Sequence, residues 1–197
     1  MPRRKSVPDE QILDDVLGLI ERVGGAPSFA AVAAASGLSP ATLVQRFGTK
    51  EAMVAAALAR AWDRLEARTE RAVAAMAPGP AGAVDLLVEL SGDYDGGGYV
   101  DGLVLLREDL RRSATRARGL AWLHRLETAV DAAIGGTGGA DRPVGRLLVS
   151  LWQGELAWWG FAGQGRAGDH VRPRLEHLLR TVLPGAGPGP RPEPGHR

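Results

Sequence analysis

Thr42, Gln45, Arg46 and Lys50 fall close together in the stretch 28–51, which reads SFAAVAAASGLSPATLVQRFGTKE. Their chemistry is recognition rather than bond making, since a hydroxyl, a carboxamide, a guanidinium and an ammonium all donate hydrogen bonds to base edges or phosphates. What makes them a set is the pair of helices that must carry them. Ser28 precedes a run of helix formers, Phe29 to Ala35, and its hydroxyl can accept from an unpaired amide of the first turn. Gly37 can close that helix in the left-handed conformation, and Ser39 with Pro40 gives an N-cap and a first-turn proline for the next. Leu43 and Phe47, one turn apart, place an apolar stripe on the second helix and leave Ala41, Thr42, Val44, Gln45 and Arg46 on its other sides. Helix, glycine-containing turn and second helix together spell a helix-turn-helix.

A further boundary follows, where Gly48 ends the short helix and Thr49 can cap a long one that begins Lys50-Glu51-Ala52-Met53-Val54. A cation in a first helical turn opposes the macrodipole, whereas with a bound anion it acts together with the free amides. A DNA phosphate fits that role. A solvated lysine offset by Glu51 fits the spacing equally well.

From Gln11 to Ala57, and above all in AAASGLSPATLVQRFGTKEAM, the sequence resembles the DNA-binding domain of TetR-type (tetracycline-repressor-like) transcriptional regulators. The features that carry the resemblance are an apolar first helix, Ser28, Ser36-Gly37-Leu38-Ser39-Pro40, Thr42-Leu43, Phe47 and Thr49-Lys50-Glu51. It implies a DNA-contact set of Ser28, Pro40, Ala41, Thr42, Val44, Gln45, Arg46 and Lys50. Ala41, Thr42, Gln45 and Arg46 are expected on bases, and Ser28, Thr42 and Lys50 on phosphates. Val44 departs from the tyrosine usual at its position in the family, so readout leans on Thr42, Gln45 and Arg46, with Val44 against a thymine methyl.

Composition sets the bounds. The 197 residues are 45% apolar and 24% charged, enough to bury a real core in one large or two small domains. There is no cysteine, which excludes disulfides, thiolate metal sites and cysteine nucleophiles. No apolar run approaches the roughly 20 residues needed to cross a bilayer, and Met1–Ser6 lacks a following signal core. The expectation is a cytoplasmic protein with no membrane partner. Net charge is only +1, and within residues 1–50 six basic residues face five acidic ones. Any phosphate contacts must therefore come from the distribution of charge, which gathers in the N-terminal arm and around the second short helix.

Along the chain, MPRRKS is a basic arm, either a frayed terminus or a reach for the DNA backbone through Arg3, Arg4 or Lys5. Ser6 and Asp9 resemble a capping pair for a helix with Ile12, Leu13, Val16, Leu19, Ile20 and Val23 at helical spacing. A long helix over 50–76 follows, closed by Pro78-Gly79-Pro80. Then come helices over about 81–91, 100–112 with Leu103, Leu106 and Leu110 inward, 114–134, 141–161 and 169–183. The glycine-rich stretches 92–98 and 135–139 read as loops. The tail 184–197, PGAGPGPRPEPGHR, holds nine prolines and glycines and cannot build a core. The pattern is all-α, with nine helices and no convincing strand. A three-helix helix-turn-helix domain (1–50) is joined by the long helix to a helical ligand-binding and dimerisation domain (51–183), followed by the tail.

The helix over 141–161 carries more apolar surface than one partner can cover, and the resemblance implies that the last two helices pair across a twofold axis. Leu148, Leu151, Trp159, Leu175, Leu178 and Leu179 are the expected dimer contacts. The resemblance also implies an inducer cavity in the C-terminal half. Trp122 and Trp152, with Leu103, Arg107, Leu126 and Glu155, are its expected lining, although helically spaced aromatics also make plain core. The letters GxGxxG at 163–168 follow a helix rather than a strand, so a dinucleotide site is not expected. His170 and His177 lie two turns apart, too far for one tetrahedral metal. No metal, cofactor or catalytic constellation is expected. The sequence thus reads as a homodimeric transcriptional repressor of a palindromic double-stranded DNA operator, released by an apolar or aromatic small-molecule effector. The alternative is a helical protein that sequesters a small molecule and carries a vestigial DNA head.

Overall fold

A computed structural model describes residues 7–92, 96–138, 144–162 and 164–183. The basic arm and the Pro/Gly tail lie outside the described residues. Among those described there are nine helices and no strand: α1 (Asp9–Val23), α2 (Phe29–Ser36), α3 (Pro40–Phe47), α4 (Lys50–Ala75), α5 (Pro80–Ser91), α6 (Gly96–Leu110), α7 (Ser113–Gly138), α8 (Val144–Ala162) and α9 (Ala167–Val182).

Two of the sequence boundaries move. The glycine stretches at 96–98 and 135–138 are helical, not loop. Each glycine costs about 1 kcal/mol relative to alanine inside a helix, but extending a helix already formed needs no new nucleus, so propensity alone does not stop it. At the start of α1 the N-cap is Pro8, with no side-chain cap bond, and Asp9 falls in the first turn; Ser6, the other half of the expected capping pair, lies outside the described residues.

The chain divides into two compact units. The described residues up to Arg68 and those from Gly96 to Trp122 form the first; those from Thr69 to Gly92 and from Leu123 onward form the second. The boundary therefore falls inside α4 and inside α7. In the first unit Ile12, Val16, Leu17 and Ile20 of α1 meet Val32 of α2, Leu43 of α3 and Met53, Val54, Ala57 and Leu58 of α4 in one buried cluster. Val104 and Leu105 of α6 pack against the same cluster. This reverses the face expected for α6, because Leu103, Leu106 and Leu110 are exposed. All five are apolar, and the sequence pattern could not say which stripe faced inward.

Ion pairs brace α4 on two sides within that unit. Asp14 on α1 receives Arg60 Nε at 2.8 Å and Arg64 Nη2 at 2.7 Å. The Arg60 guanidinium holds the Asp14 carboxyl below its ordinary value against the opposing effect of burial, and Arg64 adds to the lowering. At the start of α7, Arg118 donates to the Ala59 carbonyl at 3.1 Å and to Asp63 and Glu66 at 2.6 Å each. Trp62 and Trp122 add an edge-to-face pair with centroids 6.2 Å apart.

In the second unit α5, α8 and α9 enclose Val84, Leu87, Leu148, Trp152, Leu156, Trp159, Val171, Leu175 and Leu179. Both buried indoles are satisfied: Trp152 Nε1 donates to Ser91 Oγ at 2.9 Å, and Trp159 Nε1 to the Gln164 carbonyl at 3.1 Å. Gly82 is required at the turn into α5, because a Cβ there would fall 1.8 Å from the Ala77 carbonyl oxygen.

Candidate nucleic-acid interface

The two short helices form as their caps dictate. Ser28 Oγ accepts from the Ala31 amide at 3.2 Å, and Ser39 Oγ accepts from the Thr42 amide at 3.1 Å. Between them Gly37 takes φ +69°, the left-handed conformation that closes α2 and turns the chain into α3. Leu43 is fully buried and fixes the roll of α3 about its axis. That roll leaves Ala41, Val44 and Gln45 exposed along one face, with Pro40 at its start. The spacing of one, three and four residues puts all of them on a single outward stripe.

Ser28 is exposed at the N-terminus of α2, and Lys50 is half-buried in the first turn of α4, where Thr49 Oγ1 caps the Ala52 amide at 3.1 Å. Val44 is 47% exposed. Gln45 is exposed, and among the described residues nothing engages its carboxamide. Thr42 is half-buried, and its hydroxyl already shares a 2.8 Å hydrogen bond with Ser39 Oγ.

Arg46 departs from expectation. Its Nη1 donates to the Val7 carbonyl at 2.6 Å and to Asp9 Oδ1 at 2.9 Å, tying the end of α3 to the start of α1. The side chain is 25% exposed and bent back along the head. Arg46 is on the flank of α3, and the carbonyl and carboxylate at the start of α1 lie within reach of that flank. Sequence spacing could not reveal this partner, because it lies 37 to 39 residues away.

The residues expected around an effector are not brought together within either unit. Leu103, Arg107 and Trp122 belong to the first, and Leu126, Trp152 and Glu155 to the second. Leu103 and Arg107 are exposed. Trp122 packs edge-on to Trp62, while Trp152 and Leu126 are core. Glu155 is engaged by His170 Nε2 at 3.0 Å and Arg174 Nε at 2.8 Å.

Four of the six expected dimer contacts, Leu148, Trp159, Leu175 and Leu179, are buried inside their own unit and face no solvent. Leu151 and Leu178 are half-buried. The α8 helix has two apolar faces. One carries Leu148, Trp152, Leu156 and Trp159 into the core, and the other presents Leu147, Leu151, Trp158 and Phe161 outward, with Trp158 66% and Phe161 85% exposed. Those two rings lie 5.7 Å apart between centroids. The expected surplus of apolar surface is present, on the stripe that holds Leu151 and not on the inward face of Leu148 and Trp159.

Among the described residues no group of three or more His, Asp or Glu side chains could hold a metal ion, and no helix is long and apolar enough to cross a membrane.

No protein-family model matches the sequence, and no curated protein does. Solved structures do match the fold. A TetR-like transcriptional regulator from Rhodococcus sp. RHA1 aligns over 93% of this chain and 100% of its own, with TM-score 0.71 and 21% identity. A transcriptional regulator from Saccharomonospora viridis in complex with choline aligns over 87% of this chain and 95% of its own, with TM-score 0.69 and 21% identity. The TetR family transcriptional regulator PfmR from Thermus thermophilus aligns over 86% and 97%, with TM-score 0.66 and 24% identity. At this level of identity the likeness establishes the fold, and that fold is the all-helical one of TetR-family regulators.

Proposed function

We propose that this chain is a sequence-specific DNA-binding regulator of transcription, acting as a homodimeric repressor on a palindromic operator and released by a small molecule. The observation that carries the reading is the exposed face of α3, held outward by the buried Leu43 and flanked by Ser28 and Lys50 at two helix N-termini. Free amides at helix starts suit phosphates, which position the head, while the α3 face meets base edges in the major groove. The regulators of the same fold support this reading, and the one solved with choline supports a small-molecule effector.

The composition of that face narrows what it reads. With Arg46 engaged elsewhere, the outward polar group is the Gln45 carboxamide, which pairs in bidentate fashion with adenine N6 and N7. Ala41 and Val44 offer methyl groups suited to the thymine C5-methyl. The half-site is therefore A·T-rich under α3, with no arginine–guanine contact at its centre.

A single helix-turn-helix reads only a half-site, so affinity calls for two copies. The outward stripe of α8, Leu147, Leu151, Trp158 and Phe161, supplies the apolar centre of a twofold contact, and Gly154 and Ala157 on the same side allow close approach. In this reading the effector acts by favouring one of two separations of the recognition helices, which requires different affinity for the two states.

The test is a gel shift of the purified protein on labelled DNA from its own upstream region, at two salt concentrations and with unlabelled competitor. The expected result is a competitor-resistant band of dimer size. If binding selections across the whole genome return only weak, salt-sensitive and sequence-independent binding, the DNA-reading assignment fails and the sequestering alternative replaces it.

A further inference from the structure

The first unit holds a recess that the DNA-reading face does not use. It lies between the turn from α1 to α2 and the C-terminal end of α6, encloses about 360 Å³, and is lined by Gly25, Ala26, Arg107, Glu108, Arg111 and Arg112. One wall is nearly bare backbone, and a Cβ built on Gly25 would meet nothing within 4 Å. The opposite wall carries three guanidinium groups and one carboxylate, with the Asp109 carboxyl, outside the lining, also within electrostatic reach of Arg112 and Glu108.

Those charges are not matched to one another. Glu108 is only 6% exposed, yet its ion pairs to Arg107 and Arg112 stand at 3.6 and 3.9 Å, too long for hydrogen bonds. Arg111 has no ion-pair partner among the described residues. Arg112 Nε is buried with no hydrogen-bond partner. Buried polar groups are ordinarily satisfied, and each orphan costs on the order of 1–3 kcal/mol. A recess with surplus guanidinium donors, one of them with an unmet N–H, against a wall of Gly25 and Ala26 suits an oxyanion.

We infer that this recess binds a phosphate group, gripped by Arg107, Arg111 and Arg112, with a hydroxyl or amino donor of the same ligand meeting Glu108. Two sources could present that chemistry: a free phosphorylated small molecule, or a phosphate of the operator backbone, since Ser28 follows Ala26 by two residues. The buried carboxylate in its lining favours the small molecule. A duplex brings a continuous row of phosphates and no donor to meet Glu108. Occupancy would tie the end of α6 to the turn that leads into α2.

The experiment is titration of the full chain with inorganic phosphate by calorimetry, against chloride at matched ionic strength and without DNA, so that its outcome does not depend on the DNA-binding reading. Saturable binding is expected. Arg107→Gln/Arg111→Gln, which alters two exposed side chains and leaves the core intact, should weaken it at least about tenfold, while Arg116→Gln, exposed and outside the recess, should not. No saturable binding, or equal binding by the double variant, overturns the assignment. Operator affinity in phosphate-free buffer then separates the sources. If the double variant binds DNA normally but loses the response to added phosphate, the ligand is the free molecule. If it loses affinity and its salt slope falls by about one per contact, the phosphate belongs to the operator.

Discussion

Replacing Arg46 by alanine separates two accounts of the recognition helix. In one, Arg46 reads a base; in the other, it holds α3 to the start of α1. The structure permits a magnitude for the second. A charge-assisted hydrogen bond to a partly buried carbonyl contributes roughly 1.5–3 kcal/mol, and the Val7 carbonyl accepts at 2.6 Å. The pair with Asp9 adds less, because Asp9 is 63% exposed and such pairs are worth about 0–1 kcal/mol. Water can solvate the half-exposed Val7 after truncation, so the lower end of the range applies, and Arg46→Ala should destabilise by about 2 kcal/mol. For a chain of this size that lowers the Tm by roughly 4–8 °C. Asp9→Asn, which removes only the exposed pair, should cost about 1 kcal/mol or less.

The same magnitude bears on base reading. A bidentate base contact is worth about 1–3 kcal/mol of discrimination, so releasing Arg46 from α1 to reach a base returns a net gain near zero. Urea denaturation and gel shifts on single-base operator variants measure the two quantities independently. The expected outcome is lost stability with the ranking of operator variants preserved. Unchanged stability together with a tenfold or greater loss of base discrimination would refute the structural role.

Further outcomes follow from the same geometry. Gln45→Ala should cost about 1–3 kcal/mol per half-site, roughly 5- to 150-fold, and only on operators that keep adenine opposite it; an equal loss on all sequences would mean that Gln45 contacts the backbone. Trp158→Glu should convert a dimer into a folded monomer in sedimentation equilibrium with helical circular dichroism intact, and a persistent dimer would place the twofold contact elsewhere. Asp109 has a buried Oδ1 with no hydrogen-bond partner, and burial pushes its carboxyl above the ordinary value; the neighbouring Trp62 indole N–H offsets this only in part and closes no hydrogen bond with it. A carboxyl raised in the folded state binds its proton more tightly there than in the unfolded chain. Its contribution is thus favourable below the unfolded value, about 3.9, and is lost as pH rises through the folded one. Asp109→Asn should therefore stabilise the protein at pH 7 and lose that advantage near pH 3.5, as read by urea midpoints at the two pH values.

What the sequence made legible was local. The caps at Ser28, Ser39 and Thr49 and the left-handed Gly37 each depend on residues within four positions, and each forms as the sequence predicts; the Leu43–Phe47 spacing marks the apolar stripe of α3, although its burial is completed by α1, α2 and α4. What it hid was the choice between faces. On α6 and α8 nearly every turn offers apolar side chains on two sides, so periodicity identifies the helix without naming its inward stripe. Leu103, Leu106 and Leu110 point out where Val104 and Leu105 point in, and Leu147 and Trp158 point out where Leu148 and Trp159 point in. Long-range polar partners were equally hidden, Arg46 with Val7 and Arg118 with Asp63 and Glu66, because surface arginines carry no mark of the acceptor they will find.

The placement of α6 changes what can act on the recognition helix. Val104 and Leu105 pack on the cluster that contains Leu43, the residue that sets the roll of α3. Close-packed interiors resist small displacements, so a shift of α6 along its axis must be taken up by that cluster or refused by it. The head portion of α4 has little freedom to absorb it alone, being held by Arg60 and Arg64 to α1 and by Arg118 to α7. A ligand that bridges the end of α6 to the turn after α1 would therefore stiffen the whole first unit rather than move one helix within it. By linkage, if that ligand favours the DNA-bound arrangement, operator DNA must raise its affinity by the same factor. Measuring phosphate affinity with and without operator thus tests the coupling from either side, and unequal factors would show that the two ligands do not bias one shared equilibrium.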